Sequence, residues 1–185
     1  FTQNNFVGVS VTDGRLLWRR PYMTSANTTA QTPILYKDML IESGRGNGIT
    51  AFRVTPGTGA WRTDNVWHTD AVSAHMSDAV AVDGVLVGLS HLNSGQYFAL
   101  DLDTGTVLWT SPPRQAEHAA LAHAGSTIFS LEDDGELVVI RHDRTKFAPL
   151  VRYQVATSET WPQPAISERR IFVKDVSSIA LWTLE

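Results

Sequence analysis

Six histidines and a complete absence of cysteine bound the chemistry open to this 185-residue sequence. His68, His75, His91, His118, His123 and His142 include no pair at the i, i+2 strand spacing or the i, i+4 helical spacing of a compact zinc site. Without Cys there is no disulfide framework, thiolate ligand or cysteine nucleophile. Asp101-Leu102-Asp103-Thr104-Gly105 opens like a calcium loop, but the distal Glu that completes such a loop is missing, and a hairpin turn accounts for it better. Gly44-Arg45-Gly46-Asn47-Gly48 is glycine-rich, yet it joins two strand-like runs and opens no helix, so it reads as a turn and not as a phosphate cradle. No G-x-S-x-G elbow and no H-E-x-x-H pair occurs. The expectation is a chain with no catalytic, cofactor or metal residues of its own, whose chemistry is recognition.

The composition fits that expectation. With 43% hydrophobic and 18% charged residues the chain is globular, and at this length roughly 70% of the unfolded surface is removed from water. Fifteen basic and 19 acidic side chains give a net charge of -4 with no basic stripe, which argues against a nucleic-acid partner. The longest apolar runs are too short to span a bilayer. The chain opens at Phe1 and not at Met, so the lack of a visible leader does not exclude export.

Strand-length repeats supply the framework. Residues 97–109 read YFALDLDTGTVLW, an alternating strand, a turn at Asp103-Thr104-Gly105 and a second strand ending in Trp. Residues 6–18 read FVGVSVTDGRLLW, and Trp18, Gly14 and Phe6 fall on Trp109, Gly105 and Tyr97 at an offset of 91. A strand-turn-strand unit with a longer loop ends between them at Trp67. A second unit also repeats, starting at Pro33, Ala79, Ala120 and Pro164, at offsets of 46, 41 and 44. Each copy is a short apolar strand, a two-residue turn (Lys37-Asp38, Asp83-Gly84, Ala124-Gly125, Glu168-Arg169) and another apolar strand. A period in the forties with four strands per repeat is that of a propeller blade, and the spacing of turns leaves little room for helix.

Assembled, residues 1–185 form a single all-β, partial β-propeller of four-stranded antiparallel blades. Strands C and D of one blade span about 6–20, full blades span 30–68, 76–111 and 118–155, and strands A to C of a further blade span 164–184. The ragged ends fit the C-terminal part of a larger, seven- or eight-bladed ring, since propellers close with about four to eight blades. Expected partners are the remaining blades of the propeller or a second copy of the chain, because exposed strand edges and apolar flanks recruit cover.

The pattern G-x-x-x-A-L-D-x-x-T-G-x-x-L-W in residues 95–109 resembles the repeat of the pyrroloquinoline-quinone-like propellers. That quinoprotein-type superfamily includes quinoprotein alcohol dehydrogenases and the B subunit of the bacterial outer-membrane β-barrel assembly machinery. The resemblance implies that Trp18, Trp67 and Trp109 dock neighbouring blades, and that the protein is bacterial and periplasmic or otherwise extracytoplasmic. It also implies a choice between a scaffold and a cofactor-dependent dehydrogenase. The dehydrogenase pattern has a vicinal cysteine pair, calcium ligands and an Asp base; this chain has no Cys and no segment onto which the calcium ligands map. A non-catalytic scaffold or binding module, for a protein or a ligand, is therefore the expected function. The alternative is part of a pyrroloquinoline-quinone-dependent dehydrogenase with its catalytic residues elsewhere.

Fold does not place a site by itself, but the register does. Strand A is innermost in a blade, so the segments just before it meet at one axial rim. Those segments carry Gln31, His75, Met76, Glu117, His118 and Trp161. Apolar and hydrogen-bonding groups mixed at one rim suit a binding surface. His123 and His142 fall at hairpin turns and are expected in solvent.

Overall fold

The computed structural model describes residues 1–25 and 30–184. Blade 1 is a hairpin of β1 (Asn5–Val9) and β2 (Leu16–Pro21). Blade 2 is a four-stranded meander of β3 (Ile34–Tyr36), β4 (Met39–Ser43), β5 (Ile49–Pro56) and β6 (Trp61–Thr69). Blade 3 repeats it with β7 (Val80–Val82), β8 (Val85–Ser90), β9 (Gln96–Asp101) and β10 (Val107–Thr110). Blade 4 follows with β11 (Ala119–Ala124), β12 (Thr127–Glu132), β13 (Glu136–Arg141) and β14 (Pro149–Gln154). Blade 5 contains β15 (Ala165–Ser167), β16 (Arg170–Lys174) and β17 (Ile179–Thr183). All pairings are antiparallel, and among the described residues the one helical element is a 3-10 turn at Leu92–Ser94.

The sequence of β8, VLVGLS, does not alternate because both of its faces are covered; every residue in it is buried. Leu86, with Phe98 and Leu100 of β9, packs back onto Met39, Ile41 and Ile49 of blade 2. Val85, Val87 and Leu89 pack forward onto Leu121, Ile128 and Ile140 of blade 4. The next interface repeats the scheme, with Phe129, Leu131 and Val139 meeting Ile171 and Val173. Outer strands lack this cover, and β14 is exposed throughout. The same holds for one face of blade 5, where Phe172 lies opposite Leu181 and both are exposed beside Ile179.

Three of the four A–B turns occupy the pairs read from sequence. The fourth is Gly125-Ser126, one residue later than expected, because Ala124 still pairs with Thr127. The shift puts Gly125 (φ 56) where Lys37, Asp83 and Glu168 also have positive φ, so the first turn position is left-handed in all four.

The repeat motif has a mechanical reading. Asp101 Oδ1 accepts from the Asp103 and Thr104 amides and the Thr104 hydroxyl, while Oδ2 takes Arg144 at 2.6 Å. That turn holds Gly105 at φ +73, and the Trp67 ring of blade 2 lies where a Gly105 Cβ would be, with one ring atom 2.5 Å from that position. Trp67 Nε1 donates to the Leu102 carbonyl at 3.0 Å, and Trp109 Nε1 repeats the contact to Asp143 of blade 4 at 2.7 Å. Trp18 differs: its ring covers Gly8 of its own blade and meets Phe52 of blade 2 edge-on.

Between blades 3 and 4 runs a buried polar chain. The Tyr97 hydroxyl donates to Glu132 Oε1 at 2.7 Å and shares a hydrogen bond with Ser130 Oγ at 2.7 Å. Arg152 approaches Glu132 Oε2 at 3.4 Å and also pairs with Glu136. Burial pushes the Glu132 carboxyl up to about 7, while the Tyr97 hydroxyl and the Arg152 guanidinium pull it down.

These contacts set the cost of altering each glycine. Gly14 (φ +72) has open space around its Cβ position, so Gly14→Ala is expected to cost only backbone strain, about 1–2 kcal/mol. Gly105→Ala adds displacement of the Trp67 ring and is expected to cost more in urea denaturation. In a Trp67→Ala background the two glycine substitutions should become equal; a persistent difference would deny the ring contact. A carboxyl raised in the folded state, as Glu132 is, keeps a proton that the unfolded chain has released. Its stabilising contribution is present below the ordinary value of 4.5 and is lost as pH rises to about 7. Wild type should therefore lose stability relative to Glu132→Gln across that window, by roughly 3 kcal/mol at most. Parallel profiles of urea midpoint against pH would refute it.

Candidate binding cavity on the axial face

In an antiparallel four-stranded blade, the link into strand A and the B–C turn emerge at the same end. The A strands of successive blades, β7 with β11 and β11 with β15, also contact each other. One end of the arc is therefore built from the segments before β7, β11 and β15 together with the turns after β4 and β8.

Buried serines fix those segments. Ser43 and Ser90 are the last residues of β4 and β8. Ser43 Oγ accepts from the Ala74 amide at 3.0 Å, and Ser73 Oγ donates to the Gly44 carbonyl at 2.9 Å. Ser90 Oγ accepts from the Ser73 amide at 3.0 Å, and the His91 amide donates to the Ser73 carbonyl at 3.0 Å. Each is an apolar-environment hydrogen bond that is costly to break, so the loops sit in one arrangement. Arg45, His75 and His91 are each within two residues of this lattice. Further along, Ser77 Oγ accepts from the Ala119 amide at 3.0 Å, and Asp133 Oδ1 accepts from the His118 amide at 3.2 Å.

The result is an open cavity of about 610 Å³ lined by Arg45, His75, Met76, His91, Ser94, Gly95, Glu117 and His118. Gly95 (φ +89) is required there, since a Cβ would fall 1.7 Å from the Ala116 carbonyl oxygen. The His75 ring centroid is 6.1 Å from both His91 and His118, and the His118 ring is 4.7 Å from Trp161. Trp161 is half-exposed, with Nε1 3.3 Å from Glu159 Oε2. His118 Nε2 stands 4.0 Å from Glu117 Oε1, too far for a hydrogen bond. Burial, aided by the Arg45 charge, holds both His75 and His91 below the ordinary imidazole value. Among the described residues no three His or carboxylate groups come together in a metal-binding cluster.

Of the six rim residues expected from the register, His75, Met76, Glu117 and His118 share this cavity, and Trp161 joins through the His118 ring. Gln31 does not. Its amide donates to the Ser77 carbonyl of the next blade, beside a narrow crevice walled by Ile34 and Ile41, and it acts as an inter-blade tie. Gln163 makes the same kind of tie to Leu121. Arg45 and His91 also line the cavity, although counting back from strand A does not place them at the rim, because both lie on B–C turns, which share an end with the A-strand links. His123 is exposed as expected, but His142 is half-buried with Nδ1 enclosed, its amide tied to the Ser126 carbonyl at 2.8 Å.

Three comparisons bear on descent. The family model described as outer membrane protein assembly factor BamB matches residues 2–181. No curated protein matches. Among solved structures, BamB from Moraxella catarrhalis aligns with a TM-score of 0.67 at 16% identity, covering 98% of this chain and 55% of that one. The chain thus spans about half the length of that relative. The computationally designed Ika4 protein aligns with a TM-score of 0.60 at 16% identity, over 85% of this chain and 92% of its own. A chain of the Mitotic Checkpoint Complex aligns with a TM-score of 0.63 at 12% identity, over 80% of this chain and 48% of its own. At such identities the structures show the propeller fold alone, and the family model carries the assignment. Matched over nearly its whole length, the chain belongs to the BamB family of outer membrane protein assembly factors, built from quinoprotein-like repeats.

Proposed function

We propose that this chain is a non-catalytic propeller module that binds a partner at its axial face, in support of outer-membrane protein assembly outside the cytoplasm. The observation that carries the reading is the convergence of side chains from four chain segments on one cavity of about 610 Å³, beside an exposed Trp161 and an exposed Met76. Aromatic and Met side chains at the edge of a polar hollow are the composition of a recognition surface. The uncovered flank of blade 5, with Phe172 and Leu181, is a second contact surface, for further blades or a second copy.

A quinone-dependent dehydrogenase is the competing reading, and the residues do not fit its cofactor and calcium. Asp101 is committed to its own turn and to Arg144, and Asp103 is paired with Lys37 at 2.5 Å. The cavity offers one carboxylate, Glu117, and no cysteine.

The test combines Trp161→Ala and His118→Ala in the full-length protein. Expected are lowered levels of folded outer-membrane barrels in the host, with thermal stability shifted by no more than about 1 kcal/mol for the exposed Trp161 and by more for His118, whose side chain is 13% exposed. Normal barrel levels, or a large loss of stability with normal levels, would make these residues structural. Titration with pyrroloquinoline quinone and calcium is expected to give no saturable absorbance change and no dye-linked alcohol oxidation. Turnover would overturn the non-catalytic reading.

A further inference from the structure

The cavity has an electrostatic imbalance that narrows what it can hold. Arg45 is exposed at its wall and, among the described residues, its guanidinium has no ion-pair partner. Its turn is nevertheless anchored: the Ser25 amide and hydroxyl both donate to the Arg45 carbonyl, at 3.1 and 2.9 Å, and the Asn47 side-chain amide donates to Met23 at 2.7 Å. A cation held on a fixed turn without a counter-charge is a preorganised anion receptor, and its planar fork suits a carboxylate.

The other charged and titratable groups facing the cavity are His75, His91, His118 and Glu117. The Glu117 side chain is 83% exposed and turned toward His118 at 4.0 Å, so it leaves Arg45 unneutralised. Its negative charge still disfavours a dianion such as phosphate. Apolar surface at Met76 and at Trp161 flanks the site.

Resting on the axial-face reading above, we infer that the cavity binds a single carboxylate carried on an apolar or aromatic body, with Arg45 as its principal contact and the imidazoles lining its approach. Such a group is found on an acidic side chain next to a hydrophobic residue in a peptide, and on a small organic acid.

The experiment is calorimetric titration of the full-length protein with three probes. These are N-acetylphenylalanine, its uncharged amide, and a capped heptapeptide with one internal Glu beside Phe. The acid is expected to bind and the amide to bind at least tenfold more weakly. Saturable binding of the peptide assigns the natural source to a protein segment, and binding of the acid alone assigns it to a small molecule. Arg45→Gln should lower affinity for the binding probe at least tenfold with an unchanged melting temperature, and Arg45→Lys should restore part of it. Affinity should rise only as pH is taken below the ordinary imidazole value of 6.5, because His75 and His91, both held below it, gain positive charge there. In Arg45→Gln both imidazoles should titrate at higher pH by NMR, since a neighbouring cation has been removed. Equal binding of acid and amide, or indifference to Arg45→Gln, would overturn the inference. If Trp161→Ala abolishes barrel assembly while Arg45→Gln leaves it and probe binding intact, the axial-face reading stands and the carboxylate inference alone fails.

Discussion

Each blade is a single sheet whose inner strands must be buried on both faces, and the rest of the molecule follows from that demand. A four-stranded sheet with two apolar faces is insoluble alone, so it is stable only between two neighbours. β8 shows the extreme, with Leu86 committed to blade 2 and Val85, Val87 and Leu89 committed to blade 4. The serines that tie the loops, Ser43 and Ser90, stand at strand ends, where hydrogen bonding rather than burial decides the geometry. The interface between apolar faces is non-directional. What sets one blade's rotation against the next is the directional part: Trp67 laid on Gly105 and bonded to Leu102, with Trp109 repeating it at Asp143.

The same demand bears on the two buried carboxyls among the described residues, Glu42 beside Arg20 and Glu132. Glu132 ends β12 with 1% of its surface exposed, where β4 and β8 end in Ser and β16 ends in Lys174. It links Tyr97 of blade 3 to Arg152 of its own blade, so the interface that is otherwise greasy acquires a register mark. A buried carboxylate is weak evidence for stability, because its desolvation offsets its pairing. Its effect here is positional: a blade shifted by one residue would leave Glu132 without Tyr97, and an unpartnered buried carboxyl is heavily disfavoured.

Architecture was legible in the sequence because the repeat writes the same physics several times. Residues 97–109 show the strand, the Asp-capped turn and the Trp in one stretch, and drifted copies can be aligned to them. Turn position was less legible where no Asp-Gly marks it. Around Gly125 the run Ala-His-Ala-Gly-Ser allows two registers, and cross-strand pairing of Ala124 with Thr127 chooses the later one. The cavity was legible only in part. His75, Met76, Glu117 and His118 follow from counting back from strand A, whereas Gln31 at the same repeat position turns sideways to Ser77. Repeat position fixes where a Cα lies, not which rotamer its side chain takes. Arg45 and His91 needed the further step of asking which loops share an end of the sheet.

That division between a legible frame and a partly legible site has a physical origin. Arg45 comes from blade 2, His91 from blade 3, His118 from the link into blade 4 and Trp161 from the link into blade 5. No two are near in sequence, so no local motif records them. Each lies beyond the end of a strand, where substitution leaves the interblade core untouched. The serine lattice and the inter-blade packing can therefore hold constant while the rim varies, and the cavity's chemistry is free to follow a partner without unsettling the blades. A fold built this way separates stability from specificity in space: Leu86, Val87 and Trp67 answer to neighbouring blades alone, and Arg45 with its facing imidazoles answers to whatever enters the cavity.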